Sequence, residues 1–345
     1  MSTPSQAADG PILIVPYMWI GDFVRCHSVV KLLQARFPGR PIDLLTTDLC
    51  APLVDYMPGV RQGIVWNLPR GRLAVAEHHA LSRRLRAERY AMALVMPRTW
   101  KSALAPFLAG IPQRVGFFGE LRLGVVNDVR WGERALPRMV DRCASLALPR
   151  DAPLPKQWPA PELVVPEAEI AGWRRRSGFS PSEPVVALAP GAVGPSKRWP
   201  VGAYAVLARR LAEQGSTVAI VGGPDEKPLA AEIAGVAGAK VRDLTGPDLR
   251  NAILALAAAK AAVSNDSGLL HVAAALGTPA IGIFGPTSPW HWAPLNPLAA
   301  MIETATALDC RPCHKPTCRV GHHRCMRDIA PDQVLEATRA TLAPA

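Results

Sequence analysis

Residues 264–289, SNDSGLLHVAAALGTPAIGIFGPTSP, constrain the fold more than any other stretch of the chain. An apolar, strand-like run of Ala261, Ala262 and Val263 stops at three small polar residues, Asn265, Asp266 and Ser267. Gly268 follows, and Leu269, Leu270, Val272, Ala273 and Leu276 then recur at helical spacing. Gly277-Thr278-Pro279 ends the helix, and a second apolar strand covers residues 280–284. The helix starts on small residues, so its free backbone N–H groups and positive dipole end face whatever sits at the strand tip. Such an end suits a diphosphate. Asp-Ser-Gly is equally good capping chemistry and needs no ligand for that.

The same alternation runs through the first half. Strands are expected at residues 12–15, 42–45, 63–66, 91–96 and 114–117, with helices between them, notably at 73–87 and 100–109. Strands alternating with helices predict a parallel sheet covered on both faces. Gly21-Asp22 stands at the mouth of an amphipathic helix whose apolar face is Phe23, Val24, Val29, Val30, Leu32 and Leu33. No G-x-G-x-x-G is present there, so this first turn is not read as a dinucleotide site. Asp22 offers one carboxylate at a strand tip, either a catalytic group or a helix cap. Arg98, Lys101, Arg114 and Arg122 fall at strand ends or helix starts, where their cations suit a phosphate on an acceptor. Taken singly, each is also explained by solvation.

Six prolines lie within residues 148–166, an extended connector without a core of its own. Four segments are expected: a first α/β domain at 1–155, a Pro-rich linker at 156–180, a second α/β domain at 181–330 and a C-terminal helix from 331 to 345. Beyond the linker, strand 185–189 leads into Pro190-Gly191-Ala192-Val193-Gly194-Pro195-Ser196-Lys197, which has Walker-loop residue types without Walker spacing. An ATPase is therefore disfavoured, while Lys197 keeps the placement of a phosphate-binding lysine. A further strand at 217–221 ends in Gly222-Gly223-Pro224-Asp225-Glu226, where a carboxylate can accept from ribose hydroxyls or open a helix. No D-x-D occurs, so no carboxylate-held divalent metal is expected on a diphosphate. Cys310, Cys313, Cys318 and Cys325 form C-x2-C-x4-C-x6-C with His314, His322 and His323 among them. That pattern fits either a structural zinc or reduced thiols in a compact loop, and the second is the expectation.

A length of 345 residues suits two domains rather than one core. The net charge of +11 is uneven: residues 1–150 hold 20 Lys and Arg against 11 Asp and Glu, and the remainder 19 against 17. A basic first half suits an anionic partner. Nucleic acid is disfavoured because no recognition-helix, zinc-finger or RNP pattern accompanies the charge. MSTPSQAADG lacks the basic start and apolar core of a signal peptide, and no apolar run reaches the length of a membrane span. A cytoplasmic protein is expected.

Four separated motifs resemble one family. Asp266-Ser267-Gly268-Leu269-x-His271-x-Ala273-Ala274-Ala275-Leu276 with the Gly285-Pro286-Thr287-Ser288-Pro289 turn is similar to the nucleotide-sugar signature of bacterial heptosyltransferases. Pro190-Gly191-Ala192 with Gly194-Pro195-Ser196-Lys197-Arg198-Trp199-Pro200 resembles their loop, one residue shorter before Gly194 than is usual. Gly110-Ile111-Pro112-x-Arg114-x-Gly116 and Gly321-His322-His323-Arg324-Cys325-Met326 match as well, and the likeness runs from Ile12 to Val334.

The resemblance implies the GT-B architecture: α/β, two Rossmann-like doubly wound domains facing across a cleft, with the last helix packing back on the first domain. It implies inverting, metal-independent transfer of heptose from ADP-heptose to a phosphorylated lipid A–Kdo–heptose acceptor, at the cytoplasmic face of the inner membrane. Asp22 would be the general base and Lys197 would stabilise the departing diphosphate. Ser196, Glu226, Asp266, Ser267, Gly268, Leu269, His271 and Thr287 would bind the donor, and Arg98, Lys101, Arg114 and Arg122 the acceptor. A related transferase extending a different core sugar is the nearest alternative. A non-catalytic nucleotide-sugar binder is the alternative of another class, since a binder has no need of Asp22.

Overall fold

The computed structural model describes residues 9–67 and 74–342. Residues 1–8, part of the expected leaderless start, lie outside the described residues, as do Leu73, expected to open a helix, and residues 343–345. The chain divides into two compact units after Pro161.

In the first unit the elements are β1 (Ile12–Val15), α1 (Ile20–Arg36), β2 (Ile42–Thr46), α2 (Ala51–Val54), β3 (Gln62–Val65), α3 (Val75–Ala87), β4 (Met92–Val95), α4 (Trp100–Leu108), β5 (Gln113–Phe117), β6 (Asp128–Arg130) and α5 (Met139–Ala144). The strands form one sheet in the order β3-β2-β1-β4-β5-β6, and every pairing is parallel. Strands β1, β2 and β4 are buried along their whole length, as strands covered by helices on both faces must be. Leu13, Val15, Ala93 and Val95 pack there against Leu81 and Leu85 of α3 and Ala103 of α4.

The second unit holds α6 (Glu167–Arg176), β7 (Val185–Ala189), α7 (Val201–Glu213), β8 (Thr217–Ile220), α8 (Lys227–Ala237), β9 (Val241–Asp243), α9 (Leu249–Ala258), β10 (Ala261–Asn265), α10 (Gly268–Ala275), β11 (Ala280–Phe284), α11 (Pro289–Trp292), β12 (Ala299–Glu303), α12 (Arg324–Arg327) and α13 (Pro331–Leu342). Its parallel sheet runs β12-β11-β10-β7-β8-β9. Counted from the first strand of each unit, the two sheets share the order 3-2-1-4-5-6. Each is an α/β doubly wound unit, as expected.

That order decides where chemistry can sit. Crossovers leave the first strand in one direction and the fourth in the other, which opens a crevice beyond the carboxyl ends of those two strands. In the first unit these ends belong to β1 and β4, followed by Asp22 and by Arg98. In the second they belong to β7 and β10, followed by the 190–200 loop and by Asp266.

Two details depart from expectation. Helix α6 lies inside the stretch read as linker and packs on α9, where the Trp173 indole donates to Asn251 Oδ1 at 2.7 Å. Helix α13, expected on the first domain, packs on α7, with Val334 and Leu335 in the core of the second unit beside Val263 and Ile283. Its Arg339 Nε donates to Gln214 Oε1 at 3.0 Å. The reason is the helix's own apolar stripe, which the second unit's sheet and α7 bury.

Candidate functional site

In the first unit, Asp22 lies in the first turn of α1, whose N-cap is Trp19, so it is not the capping residue. Its carboxylate accepts from Arg25 Nη1 at 2.5 Å, one helical turn on, and both side chains are largely buried. Arg25 carried no expectation, because one arginine on a helix gives no signal until its burial is seen. Tyr17, at the tip of β1, completes the cluster. Burial pushes its hydroxyl well above the ordinary tyrosine range, and Cys143, Glu133 and Asp22 push it further.

The four cations expected to bind an acceptor separate into two kinds. Arg98 remains half exposed and pairs with Glu133 at 3.1 Å. Lys101 lies in the first turn of α4, a helix opened by Thr99, whose side chain accepts from Ser102 N. Arg114 and Arg122 correct the expectation. Arg114 Nε donates to Val125 O at 2.6 Å and Nη2 to Gly124 O at 3.2 Å, and its Nη1 donates to Ile111 O. Arg122 is 1% exposed and donates to the carbonyls of Phe117 and Pro97, with Nη1 to Pro97 O at 2.5 Å. Burial pushes its guanidinium down to about 10. Both arginines spend their guanidinium N–H groups on backbone carbonyls and tie the backbone together.

This separation is testable. Replacing Arg122 by Met leaves the Pro97 and Phe117 carbonyls short of donors in a closed interior, which costs about 2–3 kcal/mol. The melting temperature is expected to fall by several degrees, read by thermal denaturation. Unchanged stability with weakened acceptor binding would restore Arg122 to phosphate recognition.

In the second unit the loop after β7 and the tip of β10 are joined by one side chain. Asn265 Oδ1 accepts from Trp199 N at 3.0 Å, and Asn265 Nδ2 donates to Pro190 O at 2.7 Å. This brings Lys197 over Asp266, where Nζ donates to Oδ2 at 2.7 Å. Asp266 is buried and Lys197 keeps part of its surface. Ser267 is the N-cap of α10 with extended backbone, and its side chain caps no N–H of the helix. The capping alternative for this residue is thus not realised. The N–H groups of Gly268 and Leu269 stand in that first turn, next to the lysine–aspartate pair.

The other expected donor residues differ in what their side chains contact. Glu226 closes its own turn, accepting from Gly223 N at 2.8 Å, and its carboxylate lies across Gly191. A Cβ on Gly191 would meet Glu226 Oε1 at 2.6 Å, so a larger residue there would have to displace the Glu226 side chain. Ser196 is buried and its hydroxyl donates to Lys315 O, so it anchors the loop instead of facing a ligand. His271 is buried on the inner side of α10. Thr287 is buried with Oγ1 unpartnered among the described residues, as is Nδ1 of His291. His314 stands close enough for burial, the His291 ring and the Lys197 cation to lower it below the ordinary imidazole range, while Asp266 raises it. His291 was not singled out from sequence, since a histidine in a polar loop carries no periodic signal, and His314 was noted there only as a member of the cysteine–histidine cluster.

Cys310, Cys313, Cys318 and Cys325 line one cavity of about 380 Å³ together with His322 and His323. All four are free thiols, and Cys310 Sγ lies 3.8 Å from His322 Nε2. Burial pushes the Cys325 thiol up to about 11. Among the described residues no group of three or more metal-type side chains is arranged to hold an ion. The loop's visible work is mechanical: Ser196 N donates to Pro316 O at 3.1 Å, and His323 Nε2 donates to Ser196 O at 2.6 Å. It braces the turn that carries Lys197.

A doubly wound unit with a lysine over an aspartate at an open helix N-terminus, and a second such unit with a carboxylate in the first turn of its first helix, fit the class of two-domain glycosyltransferases. Comparison with known proteins gives the family. Residues 78–323 match the model of glycosyltransferase family 9 (heptosyltransferase). The chain is 38% identical over 345 residues to lipopolysaccharide heptosyltransferase 2 of Escherichia coli K12, covering 96% of this chain and 98% of that one. It is 35% identical over 345 residues to lipooligosaccharide heptosyltransferase 2 of Haemophilus influenzae, covering 96% and 99%. The solved structure of E. coli ADP-heptose lps heptosyltransferase II superposes with a TM-score of 0.84 at 36% identity, over 96% of this chain and 98% of that one. The chain belongs to glycosyltransferase family 9, the heptosyltransferases.

Proposed function

We propose that this chain is a heptosyltransferase of the second type, moving L-glycero-D-manno-heptose from ADP-heptose to the heptose of the lipopolysaccharide inner core. The observation that carries this reading is Lys197 on Asp266 at the uncapped start of α10. A cation and free N–H groups converge there, as a departing nucleotide diphosphate requires. The likeness to relatives named for this activity supports the acceptor assignment. Within the family, the Gly194–Pro200 and Gly321–Met326 segments favour the second transferase over the first.

In this reading the reaction is one in-line displacement with inversion. Asp22 takes the proton of the acceptor hydroxyl as that oxygen bonds to the anomeric carbon. The bond from that carbon to the diphosphate oxygen breaks, and ADP leaves with its charge held by Lys197 and the N–H groups of Ser267, Gly268 and Leu269. Asp266 receives donor sugar hydroxyls, and Thr287 Oγ1 and His291 Nδ1 supply further polar groups in want of partners. Arg98 and Lys101 meet phosphate on the acceptor. The enzyme works at the cytoplasmic face of the inner membrane as a peripheral protein, and no helix among the described residues is long and apolar enough to cross it.

The test incubates the protein with ADP-heptose and defined truncated cores and weighs the products. A gain of one heptose on the core ending in heptose is the expected result. Transfer only to a core lacking heptose would assign the first transferase, and ADP-heptose binding without transfer would assign a binder. No divalent metal enters this mechanism, so a chelator should leave turnover and melting temperature almost unchanged. One tightly held zinc per chain by elemental analysis would instead make the four cysteines its ligands, because a structural zinc contributes several kcal/mol of folding energy.

A further inference from the structure

We infer that the connection between β5 and β6, together with Trp131 just past β6, is a membrane-docking surface of the first unit, and that its partner is an anionic lipid bilayer. Leu121 is 84% exposed, Leu123 59% and Trp131 66%. Trp131 stacks on Phe118 with ring centroids 4.5 Å apart, which fastens its indole to the residue that opens the leucine loop. Single exposed leucines are ordinary, but two on one loop, tied by this stack to an exposed tryptophan, mark an interaction site.

The loop is built to hold these side chains out. Glu120 and Leu121 are consecutive non-glycine residues in the left-handed region, at φ 39° and 49°. That conformation is costly for such residues and persists only where the surroundings enforce it. Here Arg122 enforces it from below through the Phe117 and Pro97 carbonyls, and Glu120 Oε2 accepts from Trp100 N at 3.1 Å. Arg114 holds the far side through Gly124 and Val125. Two buried arginines and a carboxylate thus fasten the backbone while Leu121 and Leu123 face water.

Charge selects the partner. Arg98, which lies against Gly119 and pairs with Glu133, and Arg134, three residues after Trp131, keep exposed surface, and the first 150 residues carry a surplus of nine positive charges. Leucine tips beside an interfacial tryptophan and arginines match the boundary of an anionic bilayer, where apolar burial and lipid charge act together. The choice of a bilayer over a soluble partner rests on the reading of the acceptor as lipid-anchored, and Arg98 in both sets would bring the acceptor's phosphate to the docked face.

The experiment floats the full chain with vesicles of phosphatidylglycerol and phosphatidylethanolamine containing no sugar acceptor. The Leu121→Ser/Leu123→Ser double variant is expected to lower vesicle partitioning about tenfold or more, and Leu121→Trp to raise it. Added salt should weaken partitioning of the parent protein. Both variants should keep the parent's melting temperature and its turnover on a water-soluble, de-acylated acceptor. Unchanged partitioning of the double variant overturns the inference. So does an equal loss of turnover on the soluble acceptor, which would assign the leucines to sugar recognition, or a change of oligomeric state on sedimentation, which would assign them to contact between copies. Absence of heptosyl transfer by the parent protein, with partitioning still dependent on Leu121 and Leu123, would overturn the proposed activity and leave the docking surface in place.

Discussion

Asp22→Asn is expected to lower turnover by about 10² to 10⁴, the usual worth of general-base assistance, while leaving affinity for the ADP-sugar unchanged. A sugar hydroxyl is a poor nucleophile until its proton is taken, and Asn cannot take it. The substitution preserves shape, so it removes the charge and little else. Asp22 does not cap α1, and a carboxylate in the first turn of a helix contributes only about 0.3–1 kcal/mol through the dipole. Arg25 loses its carboxylate partner at 2.5 Å, which adds to that cost. Turnover, ADP-sugar affinity and melting temperature should therefore be measured on the same preparation. Full turnover would leave Asp22 as Arg25's structural partner and the proposed mechanism without a base. Lost turnover with binding and most of the stability intact is the result the base role requires.

Lys197→Ala should cost about a hundredfold or more in turnover, the loss expected from removing one charge stabiliser at a departing group. Donor affinity should weaken too, because the diphosphate is charged before reaction as well as during it. The Lys197–Asp266 pair sharpens the experiment. Removing the lysine leaves a buried carboxylate without this cation, so part of the loss would come from Asp266 repelling the diphosphate. The double variant Lys197→Ala/Asp266→Asn separates the two: partial recovery of donor affinity over Lys197→Ala assigns that share to repulsion. Near-normal turnover and affinity in Lys197→Ala would exclude the phosphate role.

Much of this architecture is legible along the chain because its determinants are local. Runs such as ILIV at Ile12–Val15 and AIGIF at Ala280–Phe284 are apolar throughout, the mark of strands buried on both faces, and helical periodicity lies between them. Strands β6 (DVR) and β9 (VRD) were not legible: two charged residues and one valine at a sheet edge carry neither periodicity nor an apolar run. Helix α6 was masked by the prolines before it, although its buried face consists of little beyond Gly172 and Trp173.

By itself the sequence determined the alternation of strands and helices, the two-unit division, the small-residue start of α10 and the strand-tip positions of Asp22, Lys197 and Asp266. Only the tertiary structure decided what each charged group faces. Arg98 and Arg122 look alike as residues near strand ends, yet one meets Glu133 at the surface and the other is sealed against the Pro97 and Phe117 carbonyls. Ser196 sits one residue from Lys197, yet its hydroxyl is spent on Lys315. Lys197 and Asp266 are separated by 69 positions and meet because β7 and β10 are neighbours at the switch of the sheet. Periodicity is a property of neighbouring residues, whereas the partner of a side chain depends on which strand ends the crossovers bring together, and that is settled only when the sheet forms.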